Sequence, residues 1–239
     1  MHDTIYRHNI KELTPPNETK TYKPVSHYEI QQMVFENIDK QSLMLRNEIY
    51  RKNKWGDVLV QVYQFDNRTN DFWGQQIAIL NSYDKSRAVT IGIGANVYIC
   101  MNGIVTGEYT YKRRHTGSVL SDTKSFIEKS FYRLQEEQRN IGNFIEKAQK
   151  IYISKREVFV VLGEMFIEDN IINTVELNKV KKSLLTGEYG FNSIEDKITV
   201  WDMYNHVTNA LKDASAANYI NKHTKLHRYI ESLIEHVDL

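Results

Sequence analysis

The chain has 239 residues, 31 Lys and Arg against 30 Asp and Glu, and a formal net charge of +1. That balance excludes a global field steering the whole surface toward nucleic acid or membrane, so any nucleic-acid site has to be a local patch. A single cysteine, Cys100, excludes an intrachain disulfide framework and a multi-thiolate zinc site, and no apolar run reaches the length of a membrane span.

Residues 1–20 are polar, contain Pro15-Pro16, and read as a flexible N-terminal arm or a loosely attached strand, without the apolar core of a signal peptide. With the lone cysteine, this makes a cytoplasmic location the expectation. Tyr22-Lys23-Pro24 is extended, because the residue before proline avoids the helical region. Ser26 and Glu29 have capping-box spacing and open a helix over 27–39, with Ile30, Val34 and Ile38 on one face. Alternating residues give strands over 42–50 and 57–65, joined by the hairpin turn RKNKWGD. In VLVQVYQF, Val58, Val60, Val62 and Gln64 face one way, and Leu59, Gln61, Tyr63 and Phe65 the other. A third strand covers 72–80 and a fourth 88–100, bent at Gly92 and Gly94. Asn102-Gly103 is a turn signal, and a short strand over 104–111 completes a meander of about five.

From residue 118 the hydrophobic period becomes helical. A helix capped at Ser121 or Asp122 runs to about 151, with Gly142 able to break it in two. REVFVVLGEMF, within 154–166, fits either a helix or a buried strand. A helix over 174–185 can end at Gly187. Thr199 caps a helix reaching about 215, whose Trp201, Met203, Tyr204 and Val207 form a core stripe, and a last helix spans 226–237. The fold expected is α+β: an N-terminal helix, an antiparallel meander of about five strands, and a helical C-terminal half packed on one face. The arm (1–20), the β-rich core (21–117) and the helical half (118–239) make one domain.

Two cationic constellations stand out. Lys112, Arg113, Arg114 and His115 precede Thr116-Gly117-Ser118 at the start of a helix, where free N–H groups and the helix dipole favour phosphate. Arg51, Lys52, Lys54 and Trp55 lie in the hairpin turn, offering cations to phosphate and an indole to a base. Tyr109 and Tyr111 alternate toward the first patch as stacking platforms. His223 and His227 share a helix face, but there is no HExxH and no evident third ligand, so no metal and no cofactor are assigned. Asp84, Asn81 and His115 flank common turns without a defined nucleophile. Asn81-Ser82-Tyr83-Asp84 is explained by turn chemistry, and no catalytic residue is assigned.

Leu80-Asn81-Ser82-x-Asp84, Cys100-x-Asn102-Gly103, His115-x-Gly117 and Trp201-x-x-Tyr204, following Tyr22-Lys23-Pro24, resemble a phage- and plasmid-encoded family, the domain of unknown function 932. Tyr98 stands where that family often has Arg. The resemblance implies a mobile-element setting near recombination and anti-restriction functions, without a known activity. A fainter similarity, in residues 207–214 (VTNALKDA), is to phage single-strand annealing proteins. The function expected is single-stranded DNA binding in recombination or replication, with homo-oligomerisation. The alternative is a non-enzymatic anti-defence protein that binds and inhibits a host protein. A membrane partner is not expected.

Overall fold

The computed structural model describes residues 3–67, 71–98, 102–187 and 191–237. Cys100 lies outside them, as does the side chain of Tyr109. Among the described residues, six strands form one antiparallel sheet in sequence order: β1 (Asp3–Thr4), β2 (Leu45–Lys52), β3 (Val58–Phe65), β4 (Trp73–Ser82), β5 (Val89–Val97) and β6 (Asn102–Arg113). The helices are α1 (His27–Gln41), α2 (Val119–Lys150), α3 (Lys155–Ile167), α4 (Thr174–Thr186), α5 (Val200–Leu211) and α6 (Tyr219–Val237). A small antiparallel pair, β7 (Tyr152–Ser154) and β8 (Lys197–Thr199), ties the end of α2 to the start of α5.

Alternation sorts the strand side chains into two apolar layers. Leu59, Tyr63, Phe65, Ile77, Ile79, Ile91 and Ile93 pack against α1 and the first half of α2. Val58, Val60, Val62, Ala78, Leu80 and Val105 pack against Ala216, Tyr219 and Ile220, at the start of α6. Both sheet faces are therefore covered, where the sequence reading expected helices on one. Covers on both faces are possible because the polar residues of β3 and β4 bond within the protein. Gln64 Nε2 donates to Gln76 Oε1 at 2.9 Å, Gln61 Nε2 to the His27 carbonyl at 2.9 Å, and Gln75 Nε2 to the Leu134 carbonyl at 2.6 Å. Buried amides paired in this way do not incur the desolvation cost of unsatisfied ones.

A third apolar layer joins the second half of α2 to α3, α4, α5 and α6. Helix α2 runs unbroken for 32 residues, about 48 Å at 1.5 Å per residue. It places Ile127, Phe131 and Leu134 in the sheet layer and Ile141, Ile145 and Ala148 in the helical layer. Gly142 does not interrupt it; a methyl there would only touch Trp73 Cζ2 at 3.6 Å.

Other expectations shift. Of the two readings of the N-terminus, the attached strand is the one present over residues 3–12: β1 pairs with β2, a 3-10 segment covers Arg7–Glu12, and Ile5 and Ile10 are buried against the sheet. Asn102 and Gly103 already lie in β6, paired with Val97 and Asn96, so they belong to a strand rather than to a turn. The bend at Gly92 and Gly94 is present as a register shift against β6. A Cβ on Gly92 would sit 2.5 Å from Val105 Cγ1 and 3.4 Å from Ile220, so the sheet and α6 close over it only because it is glycine. Residues 155–167 are helical, opened by a Ser154–Glu157 capping box. Helix α5 ends at Leu211, so the segment 207–214 runs past its end. Trp201, Met203, Tyr204 and Val207 are buried as expected.

Candidate nucleic-acid interface

Strand register decides what the cationic turns share. Val58 pairs with Ser82, Leu80 with Thr90, and Val89 with Arg113. The β2–β3 turn, the β4–β5 turn and the end of β6 therefore meet at one end of the sheet. From β2 to β6 is four strand spacings, roughly 19 Å. Lys54 and Trp55 lie on the first turn, Lys85 and Arg87 on the second, and Lys112 and Arg114 at the third position, all six exposed; Lys52 is half-buried. Trp55 keeps 73 % of its surface exposed, with Lys54 Nζ 4.7 Å from its ring centroid. The acids on these connections are half-buried Asp57 and exposed Asp84, which accepts from the Ser86 N–H at 2.9 Å as turn chemistry, while Glu29 of α1 and Asp122 of α2 stand at the edges of the rim. Lys85 and Arg87 are absent from the expected site because Asp-Lys-Ser-Arg reads first as a turn; its two cations are the signal that could have placed them there.

Beneath this rim lies a buried polar network. Asn81 Nδ2 donates to the Val25 carbonyl at 2.8 Å and lies 2.9 Å from His27 Nδ1. With Nδ1 accepting, the His27 proton resides on Nε2, which donates to the Gly56 carbonyl at 3.2 Å. The His27 N–H donates to Tyr83 Oη at 2.7 Å, and Tyr83 Oη donates to the Leu13 carbonyl at 3.1 Å. Tyr22 Oη donates to the Tyr83 carbonyl at 3.0 Å. Burial lowers the His27 pKa to about 3, against the pull of the Gly56 carbonyl, so the ring is neutral at pH 7. Gly56 holds φ +81°, and a Cβ there would meet Leu13 Cδ2 at 2.7 Å. The network pins both turns and the start of α1 to one another. Asn81, Tyr83 and Tyr22 thus have a framework role.

Four of the residues expected to bind nucleic acid are differently engaged. Arg113 Nε donates to Asp122 Oδ2 at 2.6 Å, and its Nη2 to the Thr116 carbonyl at 3.1 Å. That pairing lowers the Asp122 pKa and places a carboxylate, rather than a free cation, at the start of α2. Tyr111 is half-buried and stacks on Phe126 of α2, centroids 5.0 Å apart and planes within 16°. His115 is buried against the Tyr22 ring at 5.5 Å, and desolvation lowers its pKa. Among the described residues neither of its ring nitrogens has a hydrogen-bond partner, so it is not paired with Asp84, in keeping with the turn chemistry read for residues 81–84. The Arg51 side chain turns under α6, with its guanidinium 5.7 Å from the Tyr219 centroid. Each loss has one cause: a neighbour outside the basic run engages the side chain.

His206 and His227 in the helical half are also framework residues. His206 Nδ1 lies 2.6 Å from Ser183 Oγ and its Nε2 3.0 Å from the Asn192 carbonyl. His227 Nδ1 lies 3.0 Å from Tyr204 Oη and its Nε2 3.2 Å from Glu231. Among the described residues no three His, Cys, Asp or Glu side chains converge as metal ligands. Nor is any helix among them long and apolar enough to cross a membrane.

At the opposite end of the sheet, a cleft of about 610 Å³ lies between β4, α2 and α5, walled by Phe72, Trp73, Phe191 and Trp201, with Arg139 at its rim. Comparison with protein-family models, with curated proteins and with solved structures returned no match. The site is therefore argued from its own geometry.

Proposed function

We propose that the chain binds single-stranded nucleic acid along the cationic end of its sheet. The observation that carries this reading is the convergence of exposed cations from three connections on one rim beside an exposed indole. Lys112 and Arg114, with Lys52, Lys54, Lys85 and Arg87, contact phosphates, and Trp55 stacks on a base. Arg113 holds the rim to α2 rather than touching the strand. A base face is open to an indole only where the strand is unpaired, which favours single strands over duplex. The mobile-element setting, with a role in recombination or replication, rests on the sequence resemblance alone.

Binding of this kind releases counterions, so log K falls with log salt at about −0.7 per neutralised phosphate. Roughly five or six contacts predict a slope near about −4. Fluorescence anisotropy of a labelled single-stranded oligonucleotide, with duplex for comparison, tests it. A salt-insensitive isotherm or a lack of binding at low salt would overturn the reading. The near-zero net charge would then favour the alternative, a protein partner.

A further inference from the structure

Helix α3 has apolar residues on two sides. Val158, Val161, Leu162 and Met165 are buried in the helical layer. On another side Phe159, Val160 and Ile167 keep 55 %, 54 % and 74 % of their surface exposed, and Phe166 is half-buried. These four flank Gly163 at offsets of −4, −3, +3 and +4, the spacing of a single helical stripe. A Cβ on Gly163 would meet nothing within 4 Å. A mid-helix glycine costs about 1 kcal/mol relative to alanine, and nothing packed on it in the monomer accounts for its use.

The stripe reads alike in both directions from Gly163. Two copies of α3 related by a two-fold axis at this residue would run antiparallel. Phe159 then meets Ile167 of the second copy, and Val160 meets its Phe166. The missing side chain at the crossing point lets the axes approach toward the short end of the usual range of about 8–10 Å. Charge selects the same orientation. Lys155 and Arg156 begin the helix, Glu168 and Asp169 follow it, and all four are exposed. An antiparallel crossing brings the basic end of one copy to the acidic end of the other; a parallel crossing would set like against like. Phe159, Gly163 and Phe166 of the stripe also form one wall of a groove of about 370 Å³, closed by Leu177 and Leu184 of α4, which is open to side chains of a second copy. An apolar stripe of this kind on a surface marks an interaction site.

We infer that the chain forms a two-fold dimer in which α3 packs antiparallel on α3 of a second copy, crossing at Gly163. The contact is isologous, so each copy contributes the same patch and the assembly closes at two. The inference does not depend on the nucleic-acid reading.

Sedimentation equilibrium of the full chain is expected to report a dimer. Gly163→Leu should lower the association constant by roughly thirty-fold or more, as for loss of a central contact. Its circular dichroism should hold, and its thermal midpoint should hold or rise when compared at concentrations where the wild type is also monomeric, because the site is open in the monomer and leucine favours helix. Phe159→Ser with Ile167→Ser should also give monomer. Arg156→Glu should weaken the dimer, and adding Glu168→Lys and Asp169→Lys should restore it. Gly163→Cys in a Cys100→Ser background should form a disulfide-linked dimer on mild oxidation, because the two-fold axis sets the two thiols face to face. A wild-type chain that stays monomeric to its solubility limit would overturn the inference. So would a dimer that persists in Gly163→Leu, or a Gly163→Cys variant that does not cross-link.

Discussion

The two ends of the sheet, about 30 Å apart along β4, are built on opposite principles. One end is a rim of turns: its cations are exposed, with Arg87 Nε also donating to the Ala217 carbonyl and Lys85 over the Tyr22 ring, and its rigidity comes from buried hydrogen bonds among Asn81, His27, Tyr83 and Tyr22. The other is a cleft whose rigidity comes from packing, with the indoles of Trp73 and Trp201 wedged between strands and helices. Arg139 is the cation in its lining, offset there by Glu146 and Asp202. A strand of nucleic acid is held first through its phosphates, so under the proposed function charge favours the rim over the cleft. The comparison teaches that aromatic depth and cationic reach are separable, and that recessed rings can be walls of a core rather than stacking platforms.

Substitutions at the two ends should therefore fail in different ways. The largest effect is expected from Trp73→Ala, which removes a buried indole between β4 and α2 and should destabilise by about 3–5 kcal/mol in urea unfolding. Under conditions where the variant remains folded, its affinity for single strands should be unchanged. Affinity lost in the folded variant would move the binding site to the cleft.

At the rim, Asn81→Ala leaves the Val25 carbonyl and His27 Nδ1 without their donor, for a loss of about 1–3 kcal/mol. Acid should loosen the same network. The His27 pKa in the folded protein is depressed to about 3, below its unfolded value of about 6.5, so the unfolded chain binds the extra proton between these limits. The stability contributed by neutral His27 is complete above about pH 6.5 and declines as pH falls toward about 3, by about 1.4 kcal/mol per pH unit. His223, buried beside Tyr219 and depressed to about 3, adds a second such slope. His27→Gln should flatten the dependence by one histidine's share. An unchanged slope between about pH 6.5 and about pH 4 would contradict the buried neutral ring.

Smaller effects refine the rim itself. Lys85→Ala, Arg87→Ala, Lys112→Ala and Arg114→Ala should each reduce the salt slope by about 0.7 with stability held within about 0.5 kcal/mol. Trp55→Ala should cost about 1–3 kcal/mol of affinity with the slope intact, because stacking releases no counterions. Phe72→Ala, at the exposed lip of the cleft, is expected to change neither stability nor binding.

Much of this architecture was legible in the sequence, because local patterns and long-range packing agree. The capping box at Ser26 and Glu29, the alternation in VLVQVYQF and the glycine pair that bends β5 all reappear as read. What stayed hidden depended on distant partners. Ile5 and Ile10 sit in a polar segment whose composition suggests a free arm, yet the sheet edge gives both a place to be buried. The glutamines of β3 and β4 give no sign in their own strands that they bond across the sheet and admit a second layer of helix. In the basic patches, charge density was readable but engagement was not: Arg113 meets Asp122, Tyr111 meets Phe126, and Arg51 meets Tyr219. The proposed site accordingly keeps Lys52, Lys54, Trp55, Lys112 and Arg114 from the sequence reading, and adds Lys85 and Arg87 from a turn valued only for its shape.

The most direct measurement is the salt dependence of single-strand binding by the wild-type chain and by a Lys85→Ala, Arg87→Ala, Lys112→Ala, Arg114→Ala variant, each compared with Arg139→Ala at the cleft. A wild-type slope near about −4 that falls by about 3 in the four-fold variant and is unmoved by Arg139→Ala is the predicted result. Equal slopes in the wild type and the four-fold variant, or a loss confined to Arg139→Ala, would contradict the assignment of the cationic sheet end.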